Sequence, residues 1–325
     1  MAPRESTGRE FRLLTVVVPM LNEAETVDTF YRRLCDALDG VPWELVAVDD
    51  GSTDETIPRL RALAEQDPRV RVVCLARNFG HQAALTAGLD HAAGDVVVTI
   101  DADLQDPPEL IGTLLRRWHE GMDVVHAVRD TRAGEPWWRL ALIRLFYRVL
   151  GRFAELESIG NSGDFRLLDK RAVEVLSQMP ERNRFLRGMT VWLGFVQDTV
   201  LYDRDARYAG ETKYPLGKLA QLALDGIVSF SVVPLRIAAV VGLLVSAVAL
   251  LAIPVVIGLR IAGEYVPGIA SVTIVLLLLG GFQLLTLGII GEYLGRSYEE
   301  AKRRPIYIVG TRWNFDAGNG SERPA

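Results

Sequence analysis

The chain has 325 residues, of which 49% are hydrophobic and 24% are charged, and its formal net charge is −5. This length is enough for one large domain or two ordinary domains, and the charged fraction is that of a folded protein. The mild acidity argues against a nucleic-acid binder, and a total of two cysteines, Cys35 and Cys74, excludes a disulfide scaffold and a four-cysteine zinc site.

The first part of the chain alternates between short β-branched segments and helical patterns. Strands are predicted over 13–18, 44–48, 70–75, 96–100 and 124–127, and helices over 23–38, 54–65, 80–91 and 108–120. This alternation predicts an α/β fold, with a mostly parallel sheet covered by helices on both faces. Ligands of such sheets bind at the carboxyl ends of the strands, so the residues that follow each strand form the candidate site.

Polar clusters follow the first four predicted strands. They are Pro19–Glu23, Asp49–Asp54, Arg77–Gly80 and Asp101–Asp106. In an extended segment Asp101 and Asp103 point the same way, and Gln105 is in phase with them. Three oxygen donors in this pattern predict a Mg²⁺ or Mn²⁺ site that shares its ion with substrate phosphates. The sequence lacks the glycine signatures of dinucleotide dehydrogenases and of P-loop NTPases.

Two uncharged stretches follow the α/β region. Residues 237–259 and 266–291 carry no charged side chain, and each exceeds the roughly 20 residues that cross a bilayer as a helix. The short link between them predicts a transmembrane hairpin, and basic residues on both flanks place those flanks in the cytoplasm.

The predicted organisation follows from this hairpin. It consists of a polar N-terminal tail (1–12), a cytoplasmic catalytic domain (13–215), an interfacial helix (216–235), a hairpin (236–292, with spans at about 237–259 and 267–291) and a cytoplasmic tail (293–325). The protein is therefore expected in the inner (cytoplasmic) membrane as a multi-pass protein, with the catalytic domain and both termini in the cytoplasm.

A second segment also has membrane-facing character. Residues 135–153 place Arg144, Arg148 and Arg152 near one helical face, with large aromatic residues opposite. This pattern fits a helix that lies in the membrane interface, where the arginines would meet lipid head groups or an acceptor phosphate. The alternative is a core helix with a solvated basic face.

Together these motifs resemble those of a known family. The chain contains four motifs similar to those of family 2 glycosyltransferases, which have the Rossmann-like GT-A fold. They are Val-Val-Pro-Met-Leu-Asn-Glu, Val-Asp-Asp-Gly-Ser-Thr-Asp, Ala-Arg-Asn-Phe-Gly-His-Gln-Ala-Ala and Asp-Ala-Asp-Leu-Gln-Asp-Pro-Pro-Glu. With Ser-Gly-Asp-Phe-Arg at 162–166, Arg-Phe-Leu-Arg-Gly at 184–188 and the hairpin, the chain resembles the polyprenyl-phosphate glycosyltransferases. These include dolichol-phosphate mannosyltransferases and bacterial bactoprenol glucosyltransferases, and the bacterial type is the more similar. The resemblance covers about residues 13–310.

The resemblance implies an activity and a set of partners. One sugar, most simply glucose, would move from a nucleotide-diphosphate sugar to a polyprenyl phosphate such as undecaprenyl phosphate, with inversion and a β-linked product. It also implies a homo-oligomer, such as a tetramer, at the lipid bilayer.

The resemblance assigns roles to named residues. Nucleotide-sugar contacts are implied for Pro19, Asn22, Glu23, Asp50, Arg77, Asp101 and Ala102, and metal binding for Asp103, Gln105 and Asp101. Catalytic roles are implied for Asp164, Asp103, Arg129, Arg207 and Lys213. Contacts with the acceptor phosphate or the membrane are implied for Arg144, Arg148, Arg166 and Arg187.

Asp164 is expected to orient a sugar hydroxyl or an arginine such as Arg166 or Arg187, rather than to act as a general base. The second pKa of a phosphate monoester is about 6, so the acceptor is already mostly dianionic at pH 7. Two alternatives to this transferase stay open. One is a processive polysaccharide synthase of the same fold, which normally has a Gln-x-x-Arg-Trp motif and more spans. The other is an inactive, membrane-tethered sensor of sugar nucleotides.

Overall fold

The computed structural model describes residues 8–129, 162–182, 184–202, 233–262 and 268–315. The chain divides into two compact units, which are residues 1–213 together with 305–325, and residues 214–304. The first unit is an α/β domain and the second is helical.

The described part of the α/β domain contains one sheet of eight strands and six α-helices. The strands are β1 (Leu14–Met20), β2 (Trp43–Asp49), β3 (Val70–Leu75), β4 (Val96–Thr99), β5 (Val124–Arg129), β6 (Ser162–Asp169), β7 (Gln197–Tyr202) and β8 (Val309–Trp313). The helices are α1 (Val27–Ala37), α2 (Thr56–Gln66), α3 (His81–His91), α4 (Ile111–His119), α5 (Lys170–Gln178) and α6 (Leu186–Trp192).

The sheet confirms the predicted mostly parallel α/β class and adds antiparallel strands to it. Its strand order is β7-β5-β6-β4-β1-β2-β3-β8. The four strands β4, β1, β2 and β3 are parallel, whereas β6 runs antiparallel to both β4 and β5, and β8 runs antiparallel to β3. Every residue of β1 and β2 is buried, as expected for strands covered on both faces.

Helix packing against this sheet positions the later site. In α1 the residues Val27, Phe30 and Leu34 are buried, at the spacing of one helical face. Helix α3 packs so closely on β1 that a Cβ atom at Gly88 would lie 2.2 Å from Val17 Cγ1. Only glycine fits there, and the close approach fixes the position of the first residue of α3, His81, at the carboxyl ends of the strands.

The last strand of the domain comes from the segment 293–325, which the sequence patterns predict to be a tail. Strand β8 pairs with the edge strand β3, and the residues after it are held by side-chain contacts. The Asn314 amide donates to the Ala64 carbonyl (2.6 Å) and to the Val70 carbonyl (2.8 Å). The α/β domain is thus completed by residues that follow the helical unit.

A substitution series at Asn314 tests this attachment. The backbone of Asn314 is left-handed, with φ of 60°. Glycine at this position removes the side-chain amide without adding backbone strain, whereas alanine removes the amide and adds strain. We expect Asn314→Gly to lower the free energy of unfolding by about 1–2 kcal/mol and Asn314→Ala by about 0.5–1 kcal/mol more. Thermal unfolding of the full chain in detergent measures both, and wild-type stability of the glycine variant would contradict the role of the amide.

The helical unit contains α7 (Val233–Ile261) and α8 (Ile269–Ala301), of 29 and 33 residues. Both expose large apolar side chains, including Leu243 (71% exposed), Leu251 (71%) and Leu284 (72%), which is unusual for a surface in water. Within the described residues, one segment, Leu278–Ala301, has the length and mean hydropathy (1.3) of a membrane span. The second span and the hairpin topology stay predictions.

Candidate active site

The candidate site lies where β1, β2 and β4 end, beside the start of α3. The loops after β1 and β2 are tied to each other: the Asn22 Oδ1 atom accepts a hydrogen bond from the Thr53 backbone (2.9 Å), and Ser52 Oγ accepts one from the Asn22 backbone (2.9 Å). The Glu23 backbone donates in turn to Thr56 Oγ1 (2.9 Å). Two of the predicted nucleotide-sugar residues, Asn22 and Glu23, therefore belong to one ordered loop pair.

Asp50 holds the loop that leads into α3. Its two oxygens accept hydrogen bonds from the backbone amides of Phe79 (2.7 Å) and Gly80 (2.9 Å). Burial raises the pKa of Asp50, and the two backbone hydrogen bonds oppose that shift. At Gly51, with φ of 77°, a Cβ atom would lie 2.7 Å from the Asn78 nitrogen, so only glycine lets the two loops meet. Asp50 thus has a structural role, and its contact with a nucleotide stays a prediction.

Two other predicted nucleotide-sugar residues differ in exposure. Pro19 is a buried residue of β1 and pairs in register with Val48 of β2. Arg77 is exposed, and its guanidinium lies 4.1 Å from the centre of the Phe79 ring. One of its terminal nitrogens donates to the Asn78 carbonyl (2.9 Å), which leaves its other N–H groups for solvent or a ligand.

The acidic motif after β4 forms a tight turn. The Asp103 Oδ1 atom accepts a hydrogen bond from the Gln105 backbone (3.1 Å), and Leu104 between them has φ of 60°. Ala102 is buried in the core. In the described part of the chain, Asp101 Oδ1 and Gln105 Oε1 are shielded from solvent and have no hydrogen-bond partner. Burial raises the pKa of Asp101 to about 6, and the nearby carboxylates of Asp164, Asp106 and Asp103 add to the shift.

These oxygen donors fit a hard divalent cation. Unpartnered, buried oxygens are unfavourable in a folded chain, and a cation would satisfy them. Within the residues described, there is no group of three or more His, Cys, Asp or Glu side chains that could hold a metal ion. Mg²⁺-type sites use one or two carboxylates and complete their coordination with substrate phosphates and water.

Asp164 of β6 is contacted by several polar side chains. Its Oδ2 atom lies 2.9 Å from His81 Nε2 and 3.2 Å from Gln82 Nε2, and its Oδ1 atom lies 2.6 Å from an Arg166 terminal nitrogen. A terminal nitrogen of Arg187 is 3.9 Å from the same Oδ1. The structure therefore brings three of the predicted residues, Asp164, Arg166 and Arg187, into one cluster.

The charges in this cluster shift one another's pKa values. Burial alone would raise the pKa of Asp164, but the hydrogen bond with His81 and the charges of Arg166 and Arg187 outweigh it, so the pKa lies well below its ordinary value. Burial lowers the pKa of Arg166 to about 10, so this group stays charged at neutral pH. His81 also contacts Asp101, with 3.7 Å between Nε2 and Oδ1. It thereby links the acidic motif to Asp164.

Four residues of this region are absent from the sequence-based site. They are His81, Gln82, His126 and Thr190. Only the first two had a usable signal, because they open a helix directly after the polar cluster that follows β3. His126 is fully buried and its Nε2 atom lies 3.0 Å from Gln197 Oε1. Burial lowers the pKa of His126 to about 4, so it is neutral beside Arg166.

The structure does not test the remaining predicted residues. Of these, Arg129 is the last residue of β5. Arg144, Arg148, Arg207 and Lys213 lie outside the described residues. Their roles stay predictions.

Comparisons with known proteins identify the family. The profile described as Glycosyl transferase family 2 matches residues 15–177. The chain is 42% identical over 299 residues to the "Prophage bactoprenol glucosyl transferase homolog" of Escherichia coli (strain K12), covering 91% of this chain and 98% of that protein. It is 40% identical to the "Bactoprenol glucosyl transferase" of Shigella phage SfV, covering 91% and 97%.

Two further proteins, one of them a solved structure, are similar to this chain. An "Uncharacterized glycosyltransferase" of Synechocystis sp. is 44% identical, with 93% of this chain and 96% of that protein covered. Among solved structures, glucosyl-3-phosphoglycerate synthase from Mycobacterium tuberculosis, in complex with Mn²⁺ and uridine-diphosphate-glucose, is 22% identical with a TM-score of 0.45, covering 67% of this chain and 77% of that one. The family match and the identities over most of the chain agree, and this protein belongs to glycosyl transferase family 2 and is a glycosyltransferase.

Proposed function

We propose that this glycosyltransferase moves glucose from a nucleotide-diphosphate sugar to a polyprenyl phosphate at the cytoplasmic face of a membrane. The observation that carries the proposal is a site with two chemically different halves. The acidic turn Asp101–Gln105 offers oxygens to a cation, and the Asp164 cluster offers Arg187 to a phosphate. The names of the bactoprenol glucosyl transferase relatives and the exposed apolar surface of α8 support the same lipid acceptor.

The acidic turn is the donor half. Asp103 and Gln105, with Asp101 beside them, would hold a Mg²⁺ or Mn²⁺ ion. Such a cation, when bound, neutralises the negative charge that builds up on a leaving nucleoside diphosphate. The buried Asp101 carboxylate and the Asp103 turn hold their oxygens in place before the substrate arrives, which limits the reorganisation needed in the transition state.

The Asp164 cluster is the acceptor half. One phosphate oxygen of the lipid attacks the anomeric carbon, the bond from that carbon to the diphosphate oxygen breaks, and the nucleoside diphosphate leaves with the electron pair. Because the lipid phosphate is mostly dianionic at pH 7, with its second pKa at about 6, the site needs charge cancellation and alignment more than a base. Asp164 supplies alignment, since it is held by His81, Gln82 and Arg166.

Transfer of radiolabelled glucose tests the proposal. The full chain is incubated with labelled uridine diphosphate glucose and undecaprenyl phosphate in detergent, and the expected product is an organic-extractable lipid that releases its label in mild acid. A polymeric product would identify a polysaccharide synthase, and donor binding without transfer would identify a sensor. Parallel reactions with other nucleotide sugars show whether glucose is the preferred sugar.

Finer points of the proposal need their own measurements. A single in-line displacement inverts the anomeric carbon, so we expect a β-linked product from an α-linked donor, and the anomeric coupling constant of the product reports it. The homo-oligomer, such as a tetramer, is tested by light scattering in detergent. Accessibility labelling of introduced cysteines tests the multi-pass topology with both termini in the cytoplasm.

A further inference from the structure

Two arginines, Arg166 and Arg187, lie beside Asp164, and they differ in how many of their N–H groups already donate to the protein. Arg166 is 2% exposed, and its terminal nitrogens donate to Asp164 (2.6 Å), to the Gly163 carbonyl (3.3 Å) and to Thr190 Oγ1 (3.3 Å). The side chain of Arg187 is 26% exposed, and its nearest approach to Asp164 is 3.9 Å, which exceeds a hydrogen-bond distance. The Arg187 Nε atom is shielded from solvent and has no partner in the described part of the chain.

The unpartnered Nε donor of Arg187 suits a particular kind of ligand. A guanidinium carries five N–H donors in a planar fork, and it matches the oxygens of a phosphate better than any neutral group does. A shielded N–H without a partner is unfavourable until an acceptor arrives. A phosphate monoester presents three acceptor oxygens, and its charge attracts the arginine more strongly than the distant carboxylate does.

Gln82 fixes where Arg187 lies relative to Asp164. Its Nε2 atom donates to Asp164 Oδ2 (3.2 Å), and its Oε1 atom accepts from the backbone amide of Leu186 (3.0 Å). The carboxylate only accepts and the backbone amide only donates, so both halves of the Gln82 amide are used and its orientation is determined. Since Leu186 directly precedes Arg187, this bridge sets the spacing between Arg187 and the carboxylate.

We infer that Arg187 binds the phosphate of the acceptor, that Arg166 is the buried counter-charge that fixes Asp164, and that Gln82 is a positioning residue for Arg187. The inference rests on the proposed function, because it names the residue that recognises the acceptor of that reaction. It also separates two arginines to which the sequence gives the same role. The spacing matters: an Arg187 already in a close ion pair with Asp164 would be less available to an incoming phosphate.

Acceptor kinetics test this assignment. Arg187→Gln and Gln82→Met are compared with the wild-type full chain in detergent, with uridine diphosphate glucose as donor and farnesyl phosphate as a water-soluble acceptor. For Arg187→Gln we expect the acceptor KM to rise by about 10- to 100-fold, the loss typical of a charge-assisted hydrogen bond, with the donor KM unchanged. Gln82→Met should raise the acceptor KM less, and Arg187→Lys should recover part of the loss because it keeps the charge without the fork.

Controls separate this role from general damage to the fold. Arg116→Gln on the exposed face of α4 and Gln66→Met at the exposed end of α2 remove the same groups elsewhere and are expected to leave both KM values unchanged. Inorganic phosphate should compete with farnesyl phosphate in the wild type and lose that effect in Arg187→Gln. A rise in the donor KM in place of the acceptor KM, or an unchanged acceptor KM, overturns the inference.

Failure of the proposed function gives a different result. In that case the wild type itself transfers no glucose to farnesyl phosphate. Equilibrium binding of farnesyl phosphate to the wild type and to Arg187→Gln then decides the inference independently of turnover. Weaker binding by the variant supports the assignment of Arg187, and equal binding overturns it.

Discussion

We expect Asp103→Asn to lower glucose transfer by about 10²- to 10³-fold, the usual effect of removing one element of transition-state charge stabilisation. Asp103 closes the turn after β4 through its hydrogen bond with the Gln105 backbone (3.1 Å), and asparagine can keep that bond. The substitution therefore changes the charge of the turn more than its shape. The initial rate at saturating donor, measured against Mn²⁺ concentration, should show both a lower maximum and a higher metal requirement.

Two controls define this result. Asp36→Asn on the exposed face of α1 removes a carboxylate far from the turn and is expected to leave the rate unchanged. Excess chelator should stop transfer by the wild type, and added Mg²⁺ or Mn²⁺ should restore it. Wild-type activity that persists in excess chelator would show that the acidic turn works without a cation.

The parallel half of the sheet was predictable because its signal is local. Strands β1 to β4 are short apolar runs between helical patterns, and the predicted ranges agree with the observed ones within two residues at each end. The helical predictions are nearly as close, although the helix predicted over 23–38 begins only at Val27. The preceding residues instead form the loop held by Asn22 and Glu23, whose partners Thr53 and Thr56 are distant in sequence.

The antiparallel strands could not be predicted by the same reasoning. Strand β6 carries Asp164 and Arg166 at buried positions. Because these residues are charged, the segment lacks the apolar pattern by which a buried strand is recognised. Their burial is tolerated because the two side chains pair with each other, which the sequence does not show. Strand β8 pairs with β3, from which it is separated by more than 200 residues in sequence, as in the pairing of Trp313 with Val72. No turn between neighbouring segments therefore predicts this pairing.

In the candidate site, too, the sequence shows which residue types are present but not which residues contact one another. The acidic turn after β4 was predicted as a cation site because of its spacing and its place at the end of an apolar strand. His81 was missed because its only signal, a helix start after a polar cluster, assigns it no role until Asp164, 83 positions later, is placed 2.9 Å from it. Asp50 was singled out because its position after β2 suggested contact with a ligand. In the structure both of its oxygens accept hydrogen bonds from backbone amides.

Asp164→Asn is expected to lower the transfer rate at every pH, by about 10²-fold or more, because it disturbs the alignment of the arginines beside it. A general base must hold a proton during the reaction, and a base works best when its pKa lies near the operating pH. The pKa of Asp164 is held well below its ordinary value by His81, Arg166 and Arg187 once these outweigh burial. The carboxylate is therefore ionised throughout the assay range and is poorly suited to accept a proton.

The pH dependence of the variant distinguishes orientation from base catalysis. On the orienting role, the acidic limb of the rate profile is set by the lipid phosphate, with a pKa of about 6, and stays in place in Asp164→Asn. If the substitution abolishes that limb, Asp164 is the base.

The low pKa of Asp164 also determines how the stability of the fold depends on pH. A carboxylate with a lowered folded pKa stabilises the fold above its ordinary value of 3.8 and loses that contribution as the pH falls, so the variant should lose the corresponding part of the acid sensitivity.

Stability must be separated from catalysis in this variant, because asparagine leaves Arg166 buried without its counter-charge. Breaking a buried ion pair from one side costs about 3–5 kcal/mol. Asp169→Asn is the matched control, since Asp169 is a buried carboxylate of the same strand that pairs with Arg171 (2.9 Å) and accepts from Trp118 (2.9 Å). We expect both variants to unfold at lower temperature and only Asp164→Asn to lose transfer per folded molecule. Equal loss of transfer in both would show that the effect at Asp164 comes from damage to β6 and not from alignment of the acceptor.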